Sequence, residues 1–148
     1  MIFFLLELNR FLRVRNISSS GLTMSISNQE LIQYSEGLLA SGPDEVALRS
    51  AVSRSYYAAY HQALDLANKL KCPQPAKDKH GCHEKLIDGY KSMSTETLNI
   101  SGLLQKQKIM RVVADYKLSK EFSRKESELH VKSCSKLIKV LQMMSLVS

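Results

Sequence analysis

Val52-Ser-Arg-Ser-Tyr-Tyr-Ala-Ala-Tyr-His61 is the stretch on which the reading of this chain turns. It reads as helix, and Arg54 and His61 stand seven residues apart on it. At 3.6 residues per turn the two side chains differ by about 20° in azimuth and lie about 10 Å apart along the axis. One face therefore carries a fixed cation and a titratable imidazole. A phosphate ester calls for both: Arg holds anionic oxygens bidentately, and His exchanges a proton near neutral pH.

Wound outward from this stretch, the helix covers about 44–70. Leu48, Val52, Tyr56, Ala59, Ala63, Leu66 and Leu70 fall on one arc and form its core face. Arg54, His61 and Asp65 lie almost opposite, with Ala47 and Ala58 between them. Small alanines around a polar stripe let another helix approach closely, so this face reads as a cleft wall or a subunit contact. The plainer reading is a solvated face on which His61 and Asp65 pair at i,i+4.

The other elements are also helical. Ser27-Asn-Gln-Glu30 has the capping-box pattern and predicts a first helix over 28–40. Ser41-Gly-Pro-Asp44 stops it and starts the long helix, which ends near Lys71 before two prolines that cannot continue it. A basic, His-containing loop runs to Gly81. A short helix follows over 82–91, with Leu86, Ile87 and Tyr90 inward. Residues 92–97 form a loop or cap. A fourth helix is expected over 98–118, with Ile109, Val113 and Tyr116 as its core stripe. Ser123-Arg-Lys-Glu126 is a second capping box and opens a helix to Met144, buried through Leu137, Ile138 and Leu141. No stretch alternates long enough to be a strand. The expected fold is all-α, an antiparallel bundle of four to five helices.

The 148 residues suffice for one domain with its own core, here 24–148. The absence of Trp and the scarcity of Gly and Pro suit a helical protein. Cysteines at 72, 82 and 134, odd in number and scattered, argue against a disulfide framework and for a reducing, cytoplasmic setting. The net charge of +7 is uneven: residues 104–148 hold ten basic and four acidic side chains. A basic C-terminal third suits a polyanion such as RNA, and equally a helix with lysines on its wet side. Residues 1–23 are expected to lie outside the domain, as an extension read from an upstream start. Their apolar run is too short and interrupted to span a bilayer, and their arginines follow it rather than precede it, unlike a secretory signal. No membrane association is expected.

Two further groups carry chemistry. Arg111-Val-Val-Ala-Asp-Tyr116 sets Arg111 and Asp115 at i,i+4, which is an ordinary ion pair or, across a groove from Arg54 and His61, part of a site. Cys72, His80, Cys82 and His83 are metal ligands by type, but their spacing matches no zinc pattern, so neither metal nor other cofactor is expected. There is no Gly-rich phosphate loop and no nucleophile elbow.

Arg49-Ser-Ala-Val-Ser-Arg-Ser-Tyr-Tyr-Ala-Ala-Tyr-His61, His83-Glu-Lys-Leu-Ile87 and Arg111-Val-Val-Ala-Asp-Tyr116, in this order, resemble the HEPN superfamily of small helical bundles. The resemblance spans about 28–144. It is strongest for the branch with a Ser-Arg-x-Tyr-Tyr-Ala helix and a later Arg-x-x-Ala-Asp-Tyr helix. It implies a toxin or defence protein. Active members are metal-independent endoribonucleases with an Arg-x(4–6)-His motif, usually paired across a homodimer cleft. Arg54 and His61 meet that spacing and become the catalytic candidates. Ser55, Tyr57, Asp65, Arg111, Asp115 and Tyr116 become candidates for RNA or nucleotide binding. Two departures stand out. Ser55 occupies a position where Asn, Asp or His is frequent. In many active members the Arg/His motif also lies on a later helix, where this chain has Arg111 and Asp115 but no histidine.

The cleavage so implied has His61 as general base on a ribose 2′-OH and Arg54 against the charge developing on phosphate oxygens. A second histidine from a partner subunit protonates the leaving 5′ oxygen. Flexible single-stranded or looped RNA is the expected substrate. The alternative is a non-catalytic module that binds RNA or nucleotide, or that partners a small nucleotidyltransferase, since HEPN proteins are often encoded beside such enzymes and some act only as partners.

Overall fold

The computed structural model describes residues 26–42, 44–73 and 81–148, and among them the chain is entirely helix and connection. The helices are α1 (Asn28–Ala40), α2 (Glu45–Lys69), α3 (Cys82–Lys91), α4 (Thr95–Tyr116) and α5 (Arg124–Val147). The expected extension at 1–23 and the basic loop containing His80 lie outside the described residues.

Local chemistry sets the ends. Ser27 with Glu30 and Ser123 with Glu126 form capping boxes, as the sequence predicts, and Ser94 with Thr97 forms a third that moves the start of α4 back to Thr95. Each box satisfies amides that a helix start leaves without partners, at about 1 kcal/mol. Asp44 caps α2 through the Ala47 amide. At the other end of α2, Lys71 takes a positive φ of 53° and the Cys72 amide returns to the Ala67 carbonyl at 2.9 Å. That closure is of the Schellman kind and turns the chain toward α3.

α2 is the central element. Ala51, Val52, Tyr56, Ala58, Ala59, Ala63, Leu66 and Ala67 are all buried, which is more of its circumference than one core arc. Its partners are fixed by specific contacts. Asn28, at the start of α1, donates to Asp65 near the end of α2 at 3.3 Å, so α1 and α2 are antiparallel. Arg111 meets Tyr57 and Asp115 meets Ser53, so α4 is antiparallel to α2 as well. Lys69 reaches the Ser145 carbonyl at the far ends of α2 and α5, and these two helices therefore run parallel in the most extensive contact of the bundle.

Short α3 is stapled to α2 by the Tyr90 hydroxyl, which donates to the Ala63 carbonyl at 2.6 Å. Gly89 permits the close crossing: a Cβ there would stand 2.8 Å from the Pro73 carbonyl oxygen. A Glu84–Lys108 ion pair ties α3 to α4.

The expected α4 stripe needs correction. Val113 is buried, but Ile109 and Tyr116 are exposed. The inner face is instead Thr97, Ile100, Ser101, Leu104, Gln107 and Ala114. Its spacing is as helical as the expected one, but small and polar residues line it, so hydrophobicity alone pointed to the wrong phase.

Candidate functional site

The polar stripe of α2 is the lane that its neighbours leave open. Arg54, His61 and Asp65 are exposed there, as the winding of the sequence requires. Gln62 and Asp65 on one side accept from Asn28 of α1, while Ser53 and Tyr57 on the other side meet α4. Asp65 thus bonds to α1 rather than standing as the expected i,i+4 partner of His61. Ala58, read as lining an exposed face, is fully buried within the chain.

On the α4 side of the lane, three helices bring together a cluster that no single segment displays. Arg111 of α4 donates to the Tyr57 hydroxyl, and its Nε lies 2.9 Å from Asp115 Oδ2. That Nε has no aligned acceptor, so charge rather than a directed hydrogen bond holds the pair. Ser53 donates to the same Asp115 oxygen at 3.2 Å. The guanidinium is 5.0 Å from the Tyr57 ring centre, 5.6 Å from Tyr116 and 6.0 Å from Tyr56. Three rings around one cation desolvate it, and Asp115 supplies its counter-charge from one side. Tyr116 is exposed, forming the outer wall instead of core.

His61 rests on the same aromatic floor. Its ring is roughly parallel to Tyr57, with centres 6.4 Å apart, and edge-on to Tyr60 at 5.3 Å. His83, from α3, lies 4.4 Å from Tyr60 and 6.1 Å from Tyr57, and its Nδ1 is 2.8 Å from the Tyr56 hydroxyl. The electrostatics follow from these positions. Burial lowers the His83 pKa, and Arg111, Lys108 and His61 lower it further. Burial drives the Tyr56 phenol well above its ordinary range, and Tyr60 is pushed up to about 12 by burial with help from Cys82. Burial of the floor therefore disfavours charge on Tyr56, Tyr60 and His83, and the fixed charges beside it are the paired Arg111 and Asp115.

The sequence-derived residues separate into three groups. Tyr57, His61, Arg111, Asp115 and Tyr116 belong to this cluster. Arg54 and Asp65 stand on the open lane beside it, Arg54 without an ion pair among the described residues. Ser55 is fully buried, donating to the Val52 carbonyl and lying beside Cys134 on α5, so it cannot reach a ligand in the lane. Sequence reasoning missed His83 as part of the site. Its only signal was its presence in one of the three motif segments. It also missed that Tyr56 ends in a polar contact rather than in apolar core.

Cys72 is buried with its thiol against Met93, and Cys82 is exposed next to Tyr60. Among the described residues no three His, Cys, Asp or Glu side chains gather as ligands for a metal ion, and no helix is long and apolar enough to cross a membrane. No protein-family model matches this chain, and neither does any curated protein sequence.

Proposed function

We propose that this chain is a HEPN-type protein that holds single-stranded RNA along the open lane of α2 and cleaves it without metal. The observation that carries this is the convergence of Arg111, Tyr57 and His61: a desolvated cation, a stacking surface and an exposed imidazole on one edge of the lane. Arg54 on the His61 stripe and Arg111 at its α4 edge hold the phosphates of the strand, and the aromatic edge takes a base. His61 removes the 2′-OH proton as the 2′ oxygen bonds to phosphorus. The bond from phosphorus to the 5′ oxygen then breaks, and the leaving oxygen takes a proton from His61 of a second copy. The products are a 2′,3′-cyclic phosphate and a free 5′-OH. Such a homodimer, a role as toxin and an adjacent nucleotidyltransferase antitoxin remain parts of the same reading, supported by the motif resemblance alone.

The test is cleavage of a labelled single-stranded RNA in EDTA by wild type and His61→Ala. Cleavage by wild type to a 2′,3′-cyclic end, lost in the variant, is the expected result. Full activity in His61→Ala overturns the proposal. One observation favours the non-catalytic module as the second reading: Arg111 is already engaged by Asp115 and Tyr57, as suits a rigid binding surface. RNA binding without cleavage in the same assay selects it.

A further inference from the structure

Among the groups facing the cluster, His83 is the one whose orientation is dictated by its surroundings. The Tyr56 hydroxyl is buried, its side chain being only 1% exposed, and its hydrogen-bonding neighbour is His83 Nδ1 at 2.8 Å. A buried hydroxyl without an acceptor is costly, about 1–3 kcal/mol, so its proton belongs on the line to Nδ1. Nδ1 then accepts, and the single proton of the imidazole must sit on Nε2. The ring is half-buried, and its Nδ1 is taken up by a hydroxyl that is itself buried, so Nε2 is the nitrogen left for another partner.

The groups around the ring oppose a second proton. Arg111 and Lys108 face it from α4 and His61 from α2. Tyr56, Tyr57 and Tyr60 pack their rings against it, and Glu84, its neighbour on α3, is engaged by Lys108. An imidazole so held is a poor proton shuttle. It is a good directional donor, the role in which a neutral histidine polarises an oxygen without exchanging its own proton.

We propose that His83 presents a fixed Nε2–H to the phosphate that Arg111 and His61 meet, as a hydrogen-bond donor and not as an acid or base. This rests on the functional reading above and adds to it a ligand contact from α3. In the transition state the donor strengthens as charge grows on a nonbridging oxygen, while its proton stays on nitrogen throughout.

Two measurements test it. Long-range nitrogen–proton NMR spectra of the intact protein at pH 6.5, where an ordinary histidine is half charged, should show His83 less charged than that, with the proton of its neutral form on Nε2. A ring more than half charged, or a neutral form with its proton on Nδ1, overturns the proposal. Fluorescence anisotropy with a short single-stranded oligoribonucleotide gives the second arm. His83→Gln keeps an N–H near the Nε2 position but cannot titrate, and should bind within about twofold of wild type. His83→Ala should bind about tenfold more weakly, the loss of one hydrogen bond to a charged group. Thermal melts of both variants separate loss of fold from loss of contact. Gln as weak as Ala overturns the donor role and leaves the functional reading intact. Wild type that ignores the oligonucleotide overturns the functional reading, and this inference with it.

Discussion

Where α2 meets α4, two neighbourhoods use the same residue types to opposite ends, a sealed flank near the start of α2 and an open flank further along it. On the sealed flank Arg49 is 8% exposed and wholly consumed. It pairs with Glu45 at 2.7 Å, donates to the carbonyls of Val113, Ala114, Lys117 and Lys120, and lies over the Phe122 ring. Those carbonyls belong to the end of α4 and the turn after it, where a helix leaves acceptors without partners and the dipole favours a cation. On the open flank Arg111 has one carboxylate, one phenol and three ring faces, and its wall is exposed. An arginine surrounded by carbonyls is a structural bolt. One held by a single carboxylate and a phenol, beside an exposed histidine, is the cation that the proposed RNA site uses.

The histidines repeat the contrast. His130 of α5 is buried beside Cys134, its Nε2 3.4 Å from the sulfur, and bonds to the Val52 backbone. Burial lowers its pKa to about 4 and raises that of Cys134 to about 12. Neither is available to a ligand. His61 is exposed, and His83 lies between the two extremes.

The sharpest way to break this comparison is Arg49→Ala. It leaves several buried carbonyls and Glu45 without their cation, and should cost about 4 kcal/mol, a drop in Tm of more than about 10 °C. A Tm within a few degrees of wild type would show that the sealed flank is not sealed by this residue.

Acid should act at the buried contact of α2 with α5. The unfolded chain protonates His130 near the ordinary value of 6.5, whereas the folded chain resists until about pH 4. Its contribution is therefore complete above about pH 6.5 and is lost as pH falls toward 4, by roughly 3 kcal/mol at most. Urea midpoints measured across this window should fall for wild type and fall less for His130→Gln. Equal slopes for the two proteins would move the acid sensitivity elsewhere.

On the open flank the signs reverse, with function changing more than stability. Arg111→Ala should lower Tm by only a few degrees, yet weaken RNA binding about tenfold and reduce its salt dependence by about one phosphate contact. An unchanged salt slope would mean that Arg111 is a second bolt, not an anion site. The smallest stability effect belongs to Arg54→Ala, within about 0.5 kcal/mol because the side chain is exposed and unpaired. Titration with RNA then sharpens the site: an affinity loss with unchanged Tm places the lane itself, and not only its aromatic edge, in contact with the ligand.

Much of the fold is legible in the sequence. The bounds of α1 and α3 fall where the capping box and the flanking loop chemistry put them, because caps act on amides within one turn and need no distant partner. The outward stripe of Arg54, His61 and Asp65 was legible for the same reason: helical winding is a local rule. The inner face of α4 was not, since Ser101, Gln107 and Ala114 become core only through what α2, α3 and α5 lay against them.

The candidate site divides along the same line. The chain by itself determined that a cation and an imidazole share one face of α2, because seven residues make two turns in any helix. Only the tertiary structure decided which side chains of that helix remain available. Ser55 was lost to the contact with α5, Tyr57 was joined to Arg111, and His83 was brought in from α3. Those outcomes depend on which neighbours cover each face of the helix, and local winding contains no information about its neighbours.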